Sequence, residues 1–242
     1  LIVVAGYRFR GLSFPEIGFS MTFGWFAYPL TVLWILGIIN ALNLIDGVDG
    51  LAGGLSSIII GSYGVIYWYR GHEEGLWLSV LLIAVIFGFL VFNAPLPKAK
   101  IFMGDTGSQF LGFFIAMIPL MERSNQGQAT VSLPYAAGLT LIPIFDTFAA
   151  IWRRTRDKRN IYDPDREHTH HKLLALGFTA LEIDGIMYGI QLICAMMIVL
   201  AQTVLVRYRI LLTLGAYGVV GLFFTLLHYV YSRRVKGVQH TS

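Results

Sequence analysis

The sequence predicts an all-α, polytopic transmembrane bundle. Three observations carry that prediction. Of 242 residues, 56% are hydrophobic and 13% charged, against about 25% charged in a soluble domain. Mean hydropathy is +0.66. The apolar residues also fall in long runs, many close to the ~20 residues a helix needs to cross the hydrocarbon.

The elements follow in order. "LIVVAGYRFRG" lacks the positive flank of a signal peptide. Residues 1–6 read as the tail of a helix, so the chain is expected to be an N-terminally truncated part of a longer protein. Residues 7–27, rich in Gly and Phe with no helical period, suit a small hairpin. About seven spans then follow in one integral membrane domain over 1–242, at 28–45, 51–69, 76–93, 107–121, 131–152, 182–205 and 210–231. "YPLTVLWILGII" and "WLSVLLIAVIFGFLVF" are the most continuous of these runs. The short 107–121 span is required for its neighbours to alternate sides. Cys194, the single cysteine, can form no internal disulfide and no Cys-based zinc site. It reads as a small packing residue.

Alternation puts 46–50, 94–106, 153–181 and 232–242 on one side. That side holds twelve basic residues: Lys98, Lys100, Arg153, Arg154, Arg156, Lys158, Arg159, Arg166, Lys172, Arg233, Arg234 and Lys236. The other side holds six: Arg8, Arg10, Arg70, Arg123, Arg207 and Arg209. Basic residues favour the cytoplasm, so the first side is expected to be cytoplasmic.

Four polar motifs fall on or near that side. In "NALNLIDGVDGLAGG", Asn40, Asn43, Asp46 and Asp49 recur every three residues, which on a helix gives roughly one face. Such groups at a membrane helix end need pairing, hydration or an ion; a hydrated Asp-Gly turn is the plainer reading. In "KAKIFMGDTGS", Asp105 suits a helix cap or an oxygen ligand for Mg²⁺. Phe102 offers a flat face to a base or sugar, or anchors the membrane interface. In "IPIFDTFAAIWRR", Asp146 lies inside a span about two turns from Arg153 and Arg154. It suits either a functional acid or a charge paired with a neighbouring helix.

The fourth motif is "REHTHHKLLALG". His168, His170 and His171 lack the spacing and closing ligands of a transition-metal site. An anion site fits better, with Arg166 as a bidentate fork and imidazoles as donors. A solvated basic loop is the bland alternative. Acids for Mg²⁺ and bases for phosphate on one face suit phosphoryl transfer, which is mostly positioning and charge neutralisation. No Gly-x-x-x-x-Gly-Lys loop is present, and no nucleic-acid module accompanies the basic patch.

"NALNLIDGVDGLAGG", "IFMGDTGS" and "DREHTHHKL", in that order, together resemble the polyprenyl-phosphate N-acetylhexosamine-1-phosphate transferases, over essentially the whole chain. The isolated threonine among the histidines looks like the branch using UDP-N-acetylglucosamine or a similar sugar. The resemblance implies a bundle of ten or eleven helices and a Mg²⁺-dependent reaction, with Mn²⁺ as the alternative ion. A polyprenyl phosphate, undecaprenyl phosphate in a bacterium, would attack the β-phosphorus of a UDP-N-acetylhexosamine and release UMP, the first membrane step of a cell-envelope polysaccharide. It implies Asn43 and Asp105 as metal ligands, Asp46 and Asp49 in the nucleotide pocket, and Phe102 near the uracil. Arg166, His168, His170 and His171 would hold pyrophosphate and sugar. Turnover would rest on Asp46, Asp49, Asp105 and His170. The partners implied are the sugar nucleotide, the polyprenyl phosphate and membrane lipid, with a homodimer compatible and no nucleic acid. The family's aspartate pair from an earlier cytoplasmic loop has no counterpart here, so the isolated chain is expected to be inactive. "NAPLPKAKIF" is longer than the family's approach to its Asp, so Asn93 is not assigned to the uridine. The rival classes are a non-catalytic carrier or transporter, for which repeats and mid-membrane polar groups would be expected, and a nucleotide-binding scaffold.

Overall fold

A computed structural model describes residues 3–14, 19–94, 98–121, 131–158, 160 and 167–236. The expected hairpin is present: β1 (Gly11–Phe14) pairs antiparallel with β2 (Phe19–Thr22). Residues 3–6 form a turn, closed by Gly6 N–H on the Val3 carbonyl at 3.2 Å, and not a helix tail. The cause is local docking. Phe9 is buried edge-on against Trp34, ring centres 5.6 Å apart, and its N–H donates to Thr31 Oγ1 at 3.1 Å.

The helices are α1 (Ala27–Ile45), α2 (Leu51–Arg70), α3 (Glu73–Asn93), α4 (Gly104–Met121), α5 (Leu133–Leu139), α6 (Leu141–Arg156), α7 (Thr169–Ala175), α8 (Ala180–Gln202) and α9 (Arg209–Tyr231). Among the described residues, five helices are long and apolar enough to span a membrane, and a bent pair makes a sixth. Seven were expected. The seventh is α4, 18 residues long and lying along α1. Its polar first turn, Gly104–Asp105–Thr106–Gly107–Ser108, dilutes its apolar character.

The bent pair replaces the single span expected at 131–152. Helices α5 and α6 meet at 87° around Thr140. A continuous helix would need an N–H at position 143 for the Leu139 carbonyl, and Pro143 has none. Gln191 of α8 supplies the missing donor, Nε2 to Leu139 O at 2.8 Å.

Helix α2 is the axis of the bundle: 72% of its span is buried, against 22% for α3 and for α9. It packs on α3 and α8, while α1 packs on α4 and α6 and α8 on α9. Lipid is as apolar as leucine, so interhelical order comes from close packing and hydrogen bonds. Trp34 Nε1 donates to Ala116 O at 3.0 Å, Tyr67 Oη to Ile118 O, and Arg70 to Gln202 Oε1 at 2.7 Å. The helix ends bearing the polar motifs all meet at one end of the bundle.

Candidate functional site

The site begins at the last turn of α1. Asn43 donates through Nδ2 to Asp105 Oδ1 at 3.1 Å and to Ser108 Oγ at 3.0 Å. The first two motifs, 62 residues apart in sequence, therefore share a hydrogen bond. With Nδ2 donating, the Asn43 amide oxygen is the group that can accept beside the Asp105 carboxylate.

Asp46 ends α1 and is half-buried. Burial, followed by the charges of Asp105 and Asp49, pushes its carboxyl up to about 6. Asp49 precedes Gly50, whose two backbone groups are both clamped. Its N–H donates to Asn93 Oδ1 at 3.0 Å, and its carbonyl accepts from Tyr188 Oη at 2.6 Å. Gly50 sits at φ 89°, in the left-handed region that favours glycine. Asn93 also donates to the Ile101 carbonyl at 2.8 Å, which ties the Asp49 turn to the approach to Asp105. Asn93 thus acts as a buried clamp.

The imidazoles close the opposite wall. His170, in the first turn of α7, lies against Gly47: a Cβ added there would stand 2.2 Å from His170 Nε2. His170 is buried, and its Nδ1 has no partner among the described residues. Burial, then the neighbouring His171, pulls its pKa down to about 4, so the ring is neutral at pH 7. The ring of exposed His171 is 4.2 Å from that of His170. His168 is buried behind them, its Nδ1 2.7 Å from Asp146 Oδ2. Phe102 is 80% exposed, beside the site and open to contact. Arg166 lies outside the described residues.

Tyr188, Asp146 and Asp184 join the site although no role was read for Tyr188 or Asp184 from sequence. Asp184 is buried one turn before Tyr188, with Oδ1 unpartnered among the described residues, and it interacts electrostatically with Asp49. The only sequence signal was their four-residue spacing at one end of an apolar run, which interfacial side chains also show.

The donor set fits Mg²⁺. Asn43 and Asp105 supply hard oxygens, and the carboxylates of Asp105 and Asp49 both repel that of Asp46. Among the described residues no three His, Cys, Asp or Glu side chains converge as a cage. Mg²⁺ takes one or two carboxylates and completes its shell with water and phosphate oxygens, so a cage is not needed.

Fold and site together define a multi-pass membrane protein with a cluster of oxygen donors and imidazoles at one end of its helices. The model of glycosyl transferase family 4 matches residues 1–122. The chain is 40% identical over 179 residues to a probable undecaprenyl-phosphate N-acetylglucosaminyl 1-phosphate transferase of Bacillus subtilis, covering 74% of this chain and 49% of that protein. It is 35% identical over 218 residues to the undecaprenyl-phosphate α-N-acetylglucosaminyl 1-phosphate transferase of Haemophilus influenzae, covering 88% and 59%. The Salmonella typhi protein of that name is 32% identical over 182 residues, covering 74% and 49%. The chain belongs to glycosyl transferase family 4. It spans about half the length of the curated relatives it matches.

Proposed function

We propose that this chain forms the nucleotide-sugar half of a transferase that moves N-acetylhexosamine 1-phosphate, with N-acetylglucosamine as the sugar, from its UDP ester to undecaprenyl phosphate. The observation that carries this is convergence: Asn43 bonds Asp105 at 3.1 Å, and His170 packs on Gly47, four residues after Asn43. Metal-type oxygens and phosphate-type imidazoles are therefore brought together around the end of α1.

Asn43 and Asp105 would hold Mg²⁺, which when bound neutralises charge on the diphosphate. Asp46 and Asp49 orient the nucleotide end, and exposed Phe102 offers its ring to the uracil. Neutral His170 and exposed His171 donate hydrogen bonds to phosphate oxygens, where Arg166 adds a cation. An oxygen of the acceptor phosphate attacks the β-phosphorus, the bond from that phosphorus to the α-phosphate oxygen breaks, and UMP leaves. An apolar groove of about 320 Å³ runs between α1 and α6, lined by Leu33, Gly37, Ala41, Ile144, Phe148 and Ile151. It suits the isoprenoid tail of the acceptor, and α6 enters it just after the 87° bend.

The two-to-one excess of basic residues supports a cytoplasmic position for the site in the cell membrane. The sequence contains no adjacent Asp-Asp pair, so residues 1–242 alone are expected to lack turnover. The test is Mg²⁺-dependent exchange of labelled UMP into UDP-N-acetylglucosamine, in bilayers containing undecaprenyl phosphate. It is run with this chain alone and with this chain inside a polypeptide of its relatives' length. Exchange only in the longer form is the expected result. Nucleotide binding without exchange in both would leave a scaffold instead.

A further inference from the structure

Asp146 lies within α6 and is 2% exposed. Among the described residues, the hydrogen bonds of its carboxylate all run to one short segment of another element. Oδ2 meets His168 Nδ1 at 2.7 Å. Oδ1 accepts from Thr169 N–H at 2.8 Å and from Thr169 Oγ1 at 2.6 Å. The N-cap of α7 is His168, which makes no side-chain cap bond of its own. The carboxylate of α6 therefore takes over the cap, satisfying an N–H at the start of α7 that would otherwise be orphaned. The next residue is His170, the imidazole against Gly47. The rings of His168 and His170 are parallel within 3°, their centres 6.0 Å apart.

We propose that Asp146 is a positioning residue for the transfer reaction, acting through His168 and Thr169 on the imidazole wall. The proposal rests on the transferase reading above. A carboxylate can only accept, so Nδ1 of His168 carries a proton towards Asp146. The same carboxylate fixes where α7 starts, and with it where His170 and His171 stand. Ile144, Thr147 and Phe148, flanking Asp146 on α6, line the apolar groove. The bond to His168 thus joins the helix that would hold the acceptor tail to the residues that would hold the diphosphate.

Asp146→Asn is the discriminating substitution. The asparagine oxygen can keep both bonds to Thr169, but its NH₂ must now donate to Nδ1, which inverts the His168 tautomer. In the bilayer-reconstituted, active-length protein, ¹⁵N-histidine spectra assigned with His168→Gln should show His168 moving from the Nδ1–H to the Nε2–H form. The kcat of UMP release should fall about 10- to 100-fold, the usual loss when a supporting hydrogen bond behind a site is removed. KM for the UDP-sugar should change far less. Thr169→Val keeps the ring pair and removes one hydroxyl bond, so it should fold where Asp146→Asn does not, retain the tautomer and lose less activity. Unchanged kcat in Asp146→Asn, or equal losses in both variants, would overturn the proposal. Should the unmutated protein show no exchange, the transferase reading fails, and with it the positioning role, whichever tautomer His168 adopts.

Discussion

Gly47 has room for a hydrogen and nothing larger. Gly47→Ala would drive a methyl into His170 Nε2, so either the Asp46 turn or α7 must shift. Displacements of about 1 Å near reacting groups cost about 100-fold in rate. The expected outcome is a loss of UMP exchange on that scale with little change in thermal stability, measured on the same detergent-solubilised sample. In the longer, active form, Asp105→Asn should abolish UMP exchange at every Mg²⁺ concentration; unchanged turnover with unchanged Mg²⁺ dependence would remove Asp105 from the metal. His170 gives a pH signature of its own. Its pKa falls from 6.5 to about 4 on folding, so between those values the unfolded chain binds the extra proton. Stability should be complete above pH 6.5 and decline as pH drops towards 4. His170→Gln should flatten that decline in thermal melts. The residues facing the space were legible because polar groups stand out in an apolar chain. Asn93 and Tyr188 were not, because their work is backbone-directed and leaves no motif.

At the scale of elements, the junction of α5 and α6 was the least legible. Pro143 near the start of a helix is an ordinary placement, and the segment 131–152 is apolar enough to read as one span. Pro143 withholds the donor a straight helix needs, and the side chain that replaces it, Gln191 on the Leu139 carbonyl, is 52 residues away; no local pattern encodes that pairing. Gln191→Leu should leave the carbonyl unsatisfied in a dry interior and destabilise the bundle by about 1–2 kcal/mol, read by thermal unfolding. Adding Pro143→Ala restores a backbone donor that reaches Leu139 only if the two helices straighten. Recovered stability with lost exchange activity is the expected result, since a straight segment would close the groove beside α1.

At the scale of the molecule, the helices were legible from apolar runs of the right length, and the arrangement of their ends from alternation alone. Alternation correctly gathered Asp46, Asp105 and the histidines at one end. It could not supply the distances, which depend on how far α7 is drawn in by Asp146. Which side of the membrane this end faces is open to direct labelling. In a Cys194→Ala background, Lys100→Cys should react with a membrane-impermeant thiol reagent only from the cytoplasmic side, and Glu73→Cys only from the opposite one; both positions are exposed. The reverse pattern would place the pocket outside.

The clamp on Gly50 also carries a timetable. Tyr188, which holds the Gly50 carbonyl, is 138 residues downstream. At ribosomal speeds of about 5–20 residues per second, roughly ten seconds of synthesis separate the two. Until α8 has entered the bilayer, the aspartates of the first motif stand at the end of a nascent helix pair with half of their restraint absent. A ribosome stalled before residue 188 would therefore leave a membrane-inserted intermediate with no assembled centre, and the site would be completed late in the chain's own translation.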